Sequence, residues 1–268
     1  MSELLAALPL FLLLGACAGL LAGLLGVGGG LVIVAALVYL LPGQGIPAEH
    51  VMHVALATSL ATIILTGLAS ARAHHRRGSV MWPSVRWLVP GLVVGGLVGA
   101  ALASALNGAA LRYTVAIFCL LAAAQLVFGT PKGSERADAP VGPAMSAAGF
   151  GIGGLSAVVG IGGGSMTVPL LVWLGAPPVR AVGTSAACGV AIGLSSAFGY
   201  ALMGPPPGSL PAGSFGYVYL PAALGIAVAS VGLAPLGTRL AHRLSGPALK
   251  KIFAGLLLLV GLSLLLDR

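Results

Sequence analysis

Two glycine clusters carry the most suggestive chemistry in this chain. Leu25-Gly26-Val27-Gly28-Gly29-Gly30 recurs as Val159-Gly160-Ile161-Gly162-Gly163-Gly164, the second copy followed by Ser165, and each copy leads into a short apolar run, about 30–41 and 165–175. Glycine lets a chain break and reverse, and its missing Cβ lets backbone amides approach a bound ion closely. A helix starting after such a turn directs free N–H groups and its positive dipole end at the same place, which favours an anion. Close helix packing is the competing use of small residues; the recurrence of the cluster before two unusually short segments favours a site. A dinucleotide or P-loop reading fails, because no strand precedes either motif and no Lys-Ser/Thr follows. The candidate binding residues from the clusters are Gly26, Gly28, Gly29, Gly30, Gly160, Gly162, Gly163, Gly164 and Ser165.

A second matched pair is Thr58-Ser59 and Thr184-Ser185, each near the start of a long apolar segment. Hydroxyls donate to an oxyanion without the cost of a buried charge, although in apolar helices they also bond to their own backbone one turn earlier. Glu49, His50 and His53 stand just before Thr58, where a histidine could titrate in a proton-coupled cycle. All five acids, Glu3, Glu49, Glu135, Asp138 and Asp267, lie at segment ends or in loops, which argues against a cation carrier built on a buried carboxylate. Cys17, Cys119 and Cys188 have unrelated spacings inside apolar segments, so they read as packing residues; no metal or cofactor is expected. Leu14-Gly15-Ala16-Cys17 looks like a lipoprotein cleavage site, but the stretch before it carries Glu3 and no basic residue, unlike a signal peptide.

The elements that must position these residues are membrane helices. Of 268 residues, 58% are hydrophobic and 7% charged, and the mean hydropathy is +1.08; soluble domains carry about a quarter charged residues. Apolar stretches near the roughly 20 residues that span a bilayer occur at about 4–25, 51–71, 85–106, 110–128, 143–160, 181–203, 215–238 and 247–266. The connections are too short for separate domains, so 1–268 is expected to form one all-α, polytopic membrane domain. The formal charge of +8 is spread over membrane-flanking loops and forms no stripe with aromatics, so the partners expected are the lipid bilayer and a small anion, not nucleic acid.

The duplication extends further, since Gly108-Ala109-Ala110-Leu111-Arg112 matches Gly246-Pro247-Ala248-Leu249-Lys250. The repeats cover about 1–129 and 143–268, joined by the polar linker 130–142, and each comprises a Gly-broken short helix pair followed by three transmembrane helices. The basic residues do not repeat with the motifs. Arg72-Ala73-His74-His75-Arg76-Arg77 has the uncharged counterpart Gly204–Ser214, whereas Arg239, Arg243, Lys250 and Lys251 face only Arg112 in the first half. Equivalent loops thus carry opposite labels under the positive-inside rule, the mark of inverted repeats. The trace puts 72–77, 129–142, 176–181 and 239–251 in the cytoplasm and both termini outside.

With these motifs the sequence resembles the sulfite exporter TauE/SafE family of bacterial membrane permeases for sulfite, sulfonates and related sulfur-containing anions. The resemblance covers essentially the whole chain and rests on Gly160-Ile161-Gly162-Gly163-Gly164-Ser165-Met166-Thr167-Val168-Pro169, on His53-Val54-Ala55-Leu56-Ala57-Thr58-Ser59-Leu60, and on the basic loop ending in Gly78. Ala35 stands where the second half has Pro169, and Ala57 where it has Gly183. The resemblance implies a secondary transporter for a small anion in the bacterial inner membrane. Two other classes compete. An intramembrane hydrolase would need a nucleophile with a base at depth, and no facing His or Asp accompanies the repeated hydroxyls. A structural or assembly subunit would explain the small residues but not an inverted duplication around glycine breaks.

Overall fold

The computed structural model describes residues 2–25, 29–128, 139–241 and 246–266. Gly26 and Gly28, and most of the 130–142 linker, lie outside the described residues. The first half contains α1 (Ser2–Leu25), α2 (Gly30–Leu40), α3 (Val51–His75), α4 (Trp82–Ala105) and α5 (Gly108–Phe128). The second contains α6 (Pro143–Val159), α7 (Gly164–Trp173), α8 (Pro178–Leu202), α9 (Leu220–Ala241) and α10 (Gly246–Leu266). Six described helices are long and apolar enough to cross a membrane, and the chain is an all-α polytopic membrane protein. At 1.5 Å per residue the 11-residue α2 rises only about 17 Å, short of a hydrocarbon core of about 30 Å.

One boundary differs from the sequence reading, which ran a helix from about 215. The chain there makes a two-residue hairpin, Ser214 opposite Tyr219 and Phe215 opposite Val218, before α9 begins at Leu220. Gly213 and Gly216 adopt φ of 90° and 54°, conformations that interrupt a right-handed helix.

The helices interleave between the halves rather than packing half by half. Gly15 and Gly19 of α1 press against the carbonyls of Ile226 and Ser230 on α9. At the equivalent positions in the second half, Gly149 and Gly153 of α6 press against the carbonyls of Leu88 and Leu92 on α4. A Cβ at any of the four would collide with partner backbone, so these glycines set the close approach of the swapped helix pairs. The contact between α3 and α8 pairs with itself: Gly67 lies against Val190, and its counterpart Gly193 against Ile64, the counterpart of Val190. These contacts come in matched pairs, and α3 and α8 run antiparallel. These two helices form the interior, 78% and 67% buried along their spans against 28% for α5. The outer helices present their Leu, Val and Phe side chains outward, as lipid-facing surfaces do.

Candidate functional site

Both glycine turns end on a left-handed residue that starts the next helix. Gly29 caps α2 with φ 68° and Gly163 caps α7 with φ 73°, while Gly160 closes α6 with φ 75°. A residue with a Cβ resists this conformation, so the glycines are required where the chain reverses. The two turns meet: a Cβ on Gly30 would lie 2.6 Å from the Gly160 carbonyl oxygen. Ser59 ties them together, its hydroxyl lying 3.1 Å from the Gly30 carbonyl oxygen and 2.9 Å from that of Gly160.

The threonines of the matched pair link the halves. Thr58 Oγ1 accepts the Tyr219 N–H at 3.1 Å, immediately before α9. Thr184 Oγ1 accepts the Met81 N–H at 2.9 Å, immediately before α4, and donates to the Arg180 carbonyl at 2.7 Å. Tyr219 and Met81 each immediately precede a helix, so the same kind of hydrogen bond occurs twice, each time between a threonine of one half and the backbone of the other. By residue type Thr58, Ser59 and Thr184 are candidate donors to an anion. In this conformation the proton of Ser59 is directed at carbonyls and both threonine oxygens accept backbone N–H groups.

Gly162 and Ser185, by contrast, come together in a cavity. It is lined by Ile63, Gly67, Ser70, Gly162, Ser185, Ala186 and Gly189 and has a volume of about 10 Å³, room for about one water molecule at most. All its walls are uncharged. Around the second turn, the buried hydroxyls of Ser156, Ser165 and Thr167 have no hydrogen-bond partner. Ser165 thus sits where the sequence placed it, at the start of α7, while Ser70, Ser156 and Thr167 were missed because they belong to no repeated motif. Spacing alone held one signal for Ser70: it stands in α3 where Ser196 stands in α8.

Glu49, His50 and His53 lie apart from the cavity, at the other end of α3 from Ser70. His53 is buried, with Nε2 2.9 Å from the Leu106 carbonyl oxygen and its ring stacked on Tyr217 at 4.9 Å. Burial pushes the Tyr217 hydroxyl above its ordinary value. His50 Nε2 is 3.5 Å from Glu49 Oε1. Arg180, at the start of α8, is half-buried and its Nε has no partner. Among the described residues no group of three or more His, Cys, Asp or Glu is placed to hold a metal.

Residues 11–264 match the sulfite exporter TauE/SafE family. The chain belongs to that family. A protein of Haemophilus influenzae named "Probable membrane transporter protein" is 38% identical over 257 residues, covering 96% of this chain and 97% of the relative. "Probable membrane transporter protein YunE" of Bacillus subtilis is 31% identical over 198 residues, 66% of this chain and 71% of its own length. An archaeal relative from Methanocaldococcus jannaschii, also named a probable membrane transporter protein, is 27% identical over 267 residues, 98% of this chain and 97% of its own. No solved structure matches. Membership of the TauE/SafE family makes the chain a membrane transporter, and at residues 160–163 its backbone leaves helical geometry between α6 and α7.

Proposed function

We propose that this transporter is a secondary permease for a small oxyanion, of the sulfite or organosulfonate kind, in the bacterial cytoplasmic membrane. The observation that carries the reading is the uncharged cavity beside the second glycine turn, where Gly162 and Ser185 converge and three further buried hydroxyls stand unpartnered nearby. Irregular backbone within a membrane is stable only when buried in protein or facing a cavity. Here it offers amides, hydroxyls and the N-terminus of α7, which together suit an acceptor-only ligand. A fixed positive charge would be costly at that depth and slow to release its anion. Gly29, Gly30 and Gly160, with Gly26, Gly28 and Gly164 as their neighbours in the clusters, belong to the proposed site through the same two glycine motifs.

The halves insert in opposite directions on this reading, with 72–77 in the cytoplasm. The antiparallel, self-paired contact of α3 with α8 supports it, since a two-fold axis relating antiparallel spanning helices lies across them, in the membrane plane. Cysteines placed at the exposed positions Arg77 and Lys251 should label from the same face, and one at Ser209 from the other. Labelling of Arg77→Cys and Lys251→Cys from opposite faces rejects inversion.

Transport is tested by purifying the protein into liposomes and measuring uptake of labelled sulfite, sulfate, thiosulfate and methanesulfonate, with and without a pH gradient. Uptake of at least one is expected; uptake of none rejects the permease. Glu49, His50 and His53 are the groups through which a pH gradient would act, and a His53→Gln variant that retains the full gradient response removes His53 from that role.

A further inference from the structure

Serine and threonine hydroxyls inside apolar helices normally rest on the carbonyl one turn earlier. Their neighbours in α3 and α8 do so: Thr62 on Thr58 at 2.8 Å, Thr66 on Thr62 at 3.1 Å, and Ser195 on Ala191 at 2.9 Å. Ser70 and Ser196 do not. Both are buried, 2% and 0% exposed, and neither hydroxyl has a partner. They occupy equivalent positions in α3 and α8, at the two opposite ends of that antiparallel pair. Ser70 opens into the cavity beside Gly162 and Ser185. Ser196 is packed against Gly96 of α4, so close that a Cβ there would lie 2.9 Å from its hydroxyl.

An orphaned buried hydroxyl is costly and each such group calls for an explanation. The cavity at Ser70 supplies one. It holds a hydroxyl donor beside glycine backbone and small side chains, it carries no charge, and it has room for about one water in this conformation. We propose that Ser70 and Ser196 are substrate-contacting residues used in alternation: Ser70 donates to an oxyanion oxygen when the site faces the end of α3 that carries Arg72, and Ser196 does so when the site faces the opposite membrane surface. This rests on the permease reading and extends it to two residues outside every repeated motif.

The two-fold relation makes the alternation economical. The same packing change that widens the α3–α8 contact at Gly67 and Val190 around Ser70 has a mirror at Gly193 and Ile64 around Ser196. Each facing state then satisfies one of the two hydroxyls with ligand and leaves the other packed.

The test is a face-resolved KM. Uptake of whichever of sulfite, sulfate, thiosulfate and methanesulfonate the wild type moves fastest is measured in right-side-out and inside-out vesicles. Ser70→Ala should raise KM by about 5- to 150-fold at the Arg72 face, the ratio corresponding to a lost buried hydrogen bond, and leave KM at the other face unchanged. Ser196→Ala should do the reverse. Ser70→Thr, which keeps the hydroxyl, should retain most of the affinity and shows that the alanine effect is not a folding defect. Equal changes at both faces in either variant, or no change in both, overturn the proposal while leaving the permease intact. A wild type that moves none of the four anions instead overturns the permease reading on which it stands.

Discussion

Replacing Thr184 with valine keeps the shape of the side chain and removes its oxygen. The Met81 N–H, 2.9 Å from that oxygen and on a residue only 1% exposed, then has no acceptor. An orphaned buried donor costs about 1–3 kcal/mol. The Arg180 carbonyl loses only an extra donor. The cost falls on the conformation in which the entry to α4 is docked on α8, and disappears wherever the entry swings out and water reaches the amide. The ratio of released to docked forms should therefore rise by about 5- to 150-fold. Thr58→Val makes the same change at the opposite end, on the Tyr219 N–H at 3.1 Å. The readout is alkylation of single cysteines at buried positions beside each bond, Ser79→Cys for Thr184 and Val218→Cys for Thr58. Thr184→Val should accelerate labelling at 79 and not at 218, and Thr58→Val the converse. If either variant accelerates both positions equally, or lowers the melting temperature without changing either rate, the two threonines do not act as separate end clamps and the reasoning fails.

Gly163→Ala should destabilise the protein in detergent by about 2–5 kcal/mol, combining a left-handed residue with overpacking against Ile192; Gly151→Ala, where a Cβ meets nothing within 4 Å, is the control and should melt with the wild type. Ser59→Ala strips the donor shared by the Gly30 and Gly160 carbonyls and should cost about 1–3 kcal/mol of thermal stability, because two turns lose one tie. Ser185→Ala should weaken anion affinity more than Arg180→Gln, measured by KM in liposomes, since Ser185 lines the cavity; the reverse order would replace neutral donors with a charged clamp at Arg180.

The repeated strings locate elements well: the glycine clusters precede α2 and α7, and the Thr-Ser pairs fall in the first turns of α3 and α8. Repetition says that two positions do the same thing, but not what they do. Thr58 and Thr184 read as anion donors from their type, and their oxygens turn out to receive the N–H that precedes α9 and α4. That partner lies in the other half of the chain, and nothing local to either threonine points to it. The four glycines at positions 15, 19, 149 and 153 were likewise readable only as small residues, because the carbonyls they admit belong to helices far away in sequence. The hairpin at 214–219 was invisible for a different reason. Phe215, Val218 and Tyr219 are as apolar as the helix that follows, and only the glycines at 213 and 216 interrupt it.

Shared scaffolding does not make the two turns chemically alike. Around the second turn stand Ser156, Ser165 and Thr167, all buried and all without partners. The equivalent positions of the first half are Ala22, Leu31 and Ile33, all buried as well. The left-handed cap at Gly29 is therefore repeated at Gly163 while polarity is not. A buried hydroxyl without a partner lowers stability, and a hydrophobic residue of similar size does not; the first half has the cheaper choice at all three positions. A packing role for the turns alone would leave the second half free to make the same choice. That the second half keeps three costly hydroxyls on α6 and α7, while Leu31 and Ile33 of α2 pack into the core, is what a packing role for the turns leaves unexplained.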